Sequence, residues 1–431
     1  MALAVDTNLI SRAHYSPTST PVLDVFRPLP RQPKDNLGAG EYFLISSMVI
    51  LALTGLPAPR AVMNAVASVG TAWAFWAALL IVPVAGLGVA AVAHEAGHLF
   101  IGLFAGFRPV QLKLGPWRFG RQARGQEAHW GEVLPLGLAV LEPRTVEGKN
   151  LQRRLLFVLL GGPLGNMFFA LLLEALLRFT HAQFLVASGV HGFAAFSVLL
   201  GIASLLPDVN SRGNFSDGAR LLMLFKNNSK AERWISNLQM QLALNQGKPL
   251  RDWNQASVMH AAAINDDSRD AVVAHWLAYL WAVERQDITS ATKYLEDALE
   301  SLGFAPAGLR SQLFLEAAVF QSWFRDNSTK ARFWVRQIRG RKITPLQQMQ
   351  LDIALLWGEG KLFDAWEQMA GYFHLIAELP ASPGRDLAEK NAVEWKHQME
   401  ARMLTRAWRS MYSLAQEIQP ASLEASFSLS E

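Results

Sequence analysis

The stretch VAAVAHEAGHLFIGLFAGF, Val89 to Phe107, places two histidines and a glutamate inside an otherwise apolar segment. Ionisable side chains at membrane depth cost roughly 2.5–3.5 kcal/mol each on insertion scales, so a chain retains them there where something binds them. His94 and His98 are four residues apart, which on a helix stacks both imidazoles on one face, with Glu95 beside them. The spacing is HExxH, in which two imidazoles hold zinc and the intervening glutamate serves as a base toward water.

Outward from this stretch, the apolar residues concentrate before Leu206. The 431 residues are 51% hydrophobic and suffice for two or more domains. There is no cysteine, which excludes disulfides and thiolate ligands and leaves histidine and carboxylate to hold any metal. The net charge of +4 is small for this length, and no nucleic-acid partner is expected.

Residues 1–40, with SPTSTP and RPLPRQP, read as a flexible tail without the apolar core of a signal peptide. Phe43 to Pro59 is uncharged and ends at Pro-Ala-Pro, near the lower length limit for a spanning helix. A second span is expected from near Thr71, with HEAGH in its later half; Leu155 to Leu177 and Gln183 to Leu206 are a third and a fourth. Between them, Arg108 to Arg154 shows period-two alternation with Gly and Pro punctuation, which predicts short strands or a hairpin. This loop carries nine Lys and Arg, against Arg60 alone in the loop from Pro57 to Gly70, and so is expected on the cytoplasmic side. Four spans then leave both termini cytoplasmic in a multi-pass protein of a cytoplasmic membrane, with 41–225 as the membrane domain.

Beyond Phe225 the sequence becomes amphipathic, charged and rich in Trp. Three phrases echo one another, RQDITSATKYLEDAL, RDNSTKARFWVRQI and GEGKLFDAWEQMAGYF, with Ala291, Ala331 and Ala365 at matching places. Such spacing suggests paired-helix repeats like tetratricopeptide units, hence an α-solenoid-like cytoplasmic domain over 226–417 that docks a protein partner, followed by a disordered tail at 418–431. Trp276, Trp281, Trp323 and Trp334 are expected to fill its interhelical core.

A catalytic zinc needs a third protein ligand and an open position. Asp217, in SDGARLL after the fourth span, is the first candidate, because Gly218 permits a close backbone approach; Asp208, in LLPDVN, is its rival, and His129 reads as a surface residue. Two further polar residues lie within the spans. Glu174 is expected to be paired in the bundle or to reach the far interface with Arg178, and His191 to be a satisfied bundle residue or to line a water path.

The segment from Tyr42 to Phe225 resembles the site-2 protease family of intramembrane zinc metalloproteases. The motifs that carry the resemblance are His94, Glu95 and His98; GGPLGN, Gly161 to Asn166; Asp217-Gly218; and the basic strand-like loop ending LPLG. Ser204 stands where the family has an asparagine, and VNSRGNFS is an insertion. The resemblance implies one zinc per chain on His94, His98 and Asp217, Glu95 as the catalytic base, Asn166 as a substrate-binding residue, and a transmembrane protein as substrate. The alternative is a catalytically inactive, membrane-anchored scaffold whose helical repeats bind a partner.

Overall fold

The computed structural model describes residues 42–43, 45–47, 72–114, 117–120, 137–145, 150–180, 184–210, 213–264, 266–305, 307–338, 340 and 343–427. These are mostly helical, with one small antiparallel sheet. The expected span from Phe43 to Pro59 lies almost wholly outside them, as does His129.

Ala72–Phe104 is a single helix, α1, of 33 residues. Its apolar residues, rich in Ala, Val and Leu, form a helix that pairs the interior backbone groups with one another, as an apolar surrounding demands. It stops at Gly106, whose φ of +78° is left-handed. Two carbonyls just past that end accept from one side chain: Arg154 donates from Nε to Ala105 O at 2.6 Å and from Nη2 to Gly106 O at 2.8 Å, the latter also accepting from the Arg144 N–H. A guanidinium there also meets the negative end of the helix dipole.

The sheet follows, with β1 Phe107–Leu114, β2 Trp117–Gly120 and β3 Gly137–Pro143 in the order β2-β1-β3. The alternation in sequence predicted the strands, and β3 adds a third to the hairpin. The register of β1 on β3 slips between Pro109 and Gln111, where proline has no N–H to give to a ladder.

Two helices complete the wall around α1: α2 Leu151–Phe179 and α3 Phe184–Leu205. Among the described residues, Ala85–Phe104 and Leu151–Phe179 are long and apolar enough to cross a membrane, and Gly189–Leu205 is a shorter apolar helix. α1 and α2 cross where neither has a side chain. A β-carbon on Gly97 would stand 2.1 Å from Gly161 O, and one on Gly161 would stand 2.7 Å from Gly97 O. Small residues at such a crossing let backbones touch, which is how helices associate where lipid removes the hydrophobic drive.

After α3 the chain turns through a loop tied at Ser216. Its hydroxyl donates to Leu206 O at 2.7 Å and accepts from the backbone N–H of Asp208 and of Ala219, capping α4, Asp217–Lys226. Leu221 and Leu224 of α4 pack with Leu155 and Leu159 of α2, and with Ala231, Trp234 and Ile235 of α5, Ser229–Asn245. α6, Gln255–Ala263, and the start of α7, Arg269–Glu284, follow. Arg220 of α4 reaches Asp270 of α7 at 3.2 Å and stacks over Trp234. Fully buried Arg233 binds Asp266, Ser268 and Ile264 O. The described residues between 42 and 277, with 303–305, form one compact unit, which runs past Phe225.

A second unit holds 278–302 and 307 onward. Its helices are α8 Ile288–Glu300, α9 Ala307–Trp323, α10 Ser328–Ile338, α11 Pro345–Gly358, α12 Leu362–Ala377 and α13 Pro383–Phe427. The three echoing phrases share a geometry. Gln286, Asp326 and Gly360 are the left-handed residues of three interhelical turns, and five residues after each comes fully buried Ala291, Ala331 or Ala365. Trp323 stacks between Trp357 and Trp395, at 4.2 and 4.5 Å, while Trp281 and Trp334 are also buried. α13 extends to Phe427, into the stretch expected to lack fixed structure; Ala421, Leu423, Glu424 and Ala425 there are serviceable helix formers.

Candidate metal centre

One turn of α1 carries the site. His94 and His98 stand on the same helical face, their rings edge to face with centroids 4.7 Å apart. Their Nε2 atoms are 3.2 Å from each other. Asp217, the first residue of α4, brings its Oδ2 to 3.1 Å from His94 Nε2 and 3.4 Å from His98 Nε2. Asp217 reaches this point because Gly218 lies against the end of α3, where a β-carbon would stand 2.0 Å from Leu205 O.

Three donor atoms thus converge on one point, and the distances test whether a metal fits. Four tetrahedral ligands at ~2.0–2.1 Å from a zinc-sized ion are separated by ~3.3–3.4 Å. The observed edges of 3.1, 3.2 and 3.4 Å match one face of such a tetrahedron. Space on the α2 side is kept by Gly162, whose β-carbon would lie 2.4 Å from His98 Nε2 and 2.6 Å from His94 Nε2. The group of His94, His98 and half-buried Asp217 could therefore hold a metal ion, and it is the one such group among the described residues. Asp208 is not part of it; its backbone instead fixes the loop through Ser216.

Burial opposes the ionised form of Asp217, yet the hydrogen bonds with His94 and His98 outweigh it and hold the carboxyl below the usual carboxylate range. The third donor is accordingly an anion throughout the ordinary pH range. His98 is oriented from behind, since its Nδ1 donates to Val158 O of α2 at 2.7 Å. That bond fixes a ring proton on Nδ1, so Nε2, which faces Asp217 at 3.4 Å, is the nitrogen a metal would take in place of a proton.

Glu95 is buried beside the pair. Its carboxylate accepts from the backbone N–H of Ala139 in β3, and β3 passes so close that a β-carbon on Gly137 would stand 2.5 Å from Glu95 Cγ. The sheet therefore sets the position of this carboxylate.

Asn166 is fully buried on α2 and its side-chain amide lies 3.0 Å from His94 Nδ1. Ser197 of α3, also fully buried, donates from Oγ to Asn166 O at 3.0 Å. Glu174 and His191 are brought together at 2.8 Å, half-exposed. Ser204 donates back to Gly201 O within its own helix. Sequence reading missed Gly162, Val158, Ala139 and Ser197; of these only Gly162 lies within a quoted motif, and the carbonyl and N–H contacts leave no trace in residue type. Comparison with protein-family profiles, curated proteins and solved structures returned no match for this chain.

Proposed function

We propose that this chain is an intramembrane zinc metalloendopeptidase that hydrolyses peptide bonds in the membrane-spanning segments of other proteins, as its resemblance to the site-2 protease family implies. The observation that carries the reading is the convergence of His94, His98 and Asp217 on one point with Glu95 at its side. The setting supports it. Polar groups face inward, whereas Phe100, Phe104, Phe168, Leu171 and Phe179 point outward from α1 and α2. A polar interior under an apolar exterior suits a bilayer. In this reading four spans cross a cytoplasmic membrane, of which α1 to α3 are three, and both termini are cytoplasmic.

A zinc ion bound by the two imidazoles and the carboxylate supplies Lewis acidity, which makes water nucleophilic near neutral pH and polarises a carbonyl. Glu95 takes the proton of the attacking water as the water's oxygen bonds to the peptide carbon. Glu95 then returns that proton to the leaving amine as the C–N bond breaks. A substrate helix hides its carbonyls in its own hydrogen bonds and must unwind first. Among the described residues β3 is an edge strand, it lies beside Glu95, and an unwound segment can pair along it by strand addition. The paired helices of the second unit form an α-solenoid-like surface for a cytoplasmic protein partner.

The test is zinc per chain, by elemental mass spectrometry, on detergent-purified wild type, His94→Ala, Asp208→Ala, Asp217→Ala and Glu95→Gln, together with cleavage of a transmembrane reporter in vesicles. Metal near one per chain is expected in the wild type, Asp208→Ala and Glu95→Gln, with loss in the other two and no cleavage by Glu95→Gln. No metal in the reconstituted wild type would overturn the reading.

A further inference from the structure

Behind His94, on the side away from Asp217, lies a pair of buried polar residues that hydrolysis does not use. In the structure Asn166 Nδ2 is 3.0 Å from His94 Nδ1, and Asn166 Oδ1 accepts from the Ser197 hydroxyl at 3.1 Å. The same hydroxyl is 3.0 Å from Asn166 O. Both residues are fully buried, so each polar atom must find its partner within the helices.

An imidazole that offers its Nε2 lone pair to a cation carries its ring proton on Nδ1, and that N–H needs an acceptor. The group at hydrogen-bond distance from His94 Nδ1 is the Asn166 amide, whose oxygen and nitrogen exchange places by a half-turn. After that half-turn, with Oδ1 toward His94, the ring N–H has its acceptor and Ser197 stays joined to Asn166. His94 Nδ1–H donates to Oδ1, Asn166 Nδ2 donates to Ser197 Oγ, and the Ser197 hydroxyl donates to Asn166 O. With Nδ2 toward His94, the ring proton is forced onto Nε2, into the space the three ligand atoms share. The orientation of one amide thus decides whether His94 is a ligand.

We propose that Asn166, its amide held by Ser197, is a positioning residue that selects the Nδ1–H form of His94 and so sets the affinity of the centre for metal. The inference rests on the metal-centre reading above and departs from the substrate-binding role that family resemblance gives Asn166.

The experiment measures zinc affinity, by competition with a chromogenic chelator, for the full-length detergent-solubilised wild type, Asn166→Leu, Asn166→Asp and Ser197→Ala, with reporter cleavage measured in parallel. Asn166→Leu keeps the volume and removes the acceptor, and is expected to weaken zinc binding by about 10–100-fold. Asn166→Asp restores an acceptor for Nδ1–H and is expected to bind zinc as tightly as the wild type or more so. Ser197→Ala, which frees the amide to turn, is expected to weaken binding about 3–10-fold, within the range of outer-shell losses. Wild-type affinity in Asn166→Leu with cleavage lost would assign Asn166 to substrate and overturn the proposal. Equal losses in Asn166→Leu and Asn166→Asp would reduce it to packing and do the same. If Asn166→Leu does not fold, unchanged zinc affinity in Ser197→Ala overturns the proposal on its own. A wild type that binds no zinc removes the metal-centre reading itself, an outcome separate from all of these.

Discussion

Gly162 lies directly against His98: a β-carbon at that position would stand 2.4 Å from the Nε2 that faces Asp217. The α2 helix therefore supplies an absence, a place where no side chain intrudes between the ligand atoms and the neighbouring backbone. Gly162→Ala is expected to reduce bound metal below one-tenth of the wild-type level while leaving the protein folded, since one methyl group at a close contact is accommodated by local shifts. Elemental analysis beside size-exclusion chromatography checks this, and full metal occupancy in Gly162→Ala would show that the ligand atoms do not meet where the structure puts them.

Glu95 and β3 are expected to separate metal binding from turnover. Gly137→Val forces the Glu95 side chain off the Ala139 N–H, because even a β-carbon there would come within 2.6 Å of Glu95 Oε1. Zinc content should stay near that of the wild type while reporter cleavage falls about 100-fold, the lower end of what a positioned general base contributes. Zinc loss in parallel with cleavage would place the strand's role in shaping the ligands instead.

The loop that leads to Asp217 is held at Gly213 O, which accepts from the Arg269 N–H at 3.1 Å, next to Ser268, which Arg233 binds at 2.9 Å. Arg233 has no exposed side-chain surface and faces Asp266 at 2.9 Å. Arg233→Met is expected to destabilise the first unit by about 3 kcal/mol, the lower end for a broken buried pair, because Lys230 still lies 2.9 Å from Asp266. Urea unfolding followed by Trp fluorescence measures it. Arg233→Met combined with Asp266→Leu should recover much of the loss, and an unchanged midpoint in the single variant would contradict the anchoring role.

The second unit has a pH dependence of its own. Burial pushes the Glu316 carboxyl above its ordinary value of 4.5, against the hydrogen bonds that Gln312 and Tyr279 donate to it. A carboxyl raised in the folded state binds its proton more tightly there than in the unfolded chain. Stability from this group is thus full below pH 4.5 and declines as pH rises through the raised value. Glu316→Gln removes that decline. Its Tm advantage over the wild type is expected to grow from pH 4 to pH 8, and a constant difference would show that Glu316 ionises freely in the fold.

Residue type and spacing alone determined much of this molecule. HEAGH inside an apolar run set a two-histidine face on a helix, because a helix repeats every 3.6 residues whatever surrounds it. The strands of the Arg108 to Arg154 segment followed from alternation, and three helical turns followed from their echoing phrases, since these too are local periodicities. Tertiary structure decided which carboxylate meets the histidines. Asp217 and Asp208 are both aspartates after the same helix, and only the Ser216-pinned loop with the bare backbone at Gly218 brings Asp217 to 3.1 Å from His94. It also decided that Asn166 lies against His94, that Val158 offers a carbonyl to His98, and that Ala139 holds Glu95. Those contacts join residues 44 to 72 positions apart through backbone atoms and buried amides, which every sequence possesses and no residue pattern marks.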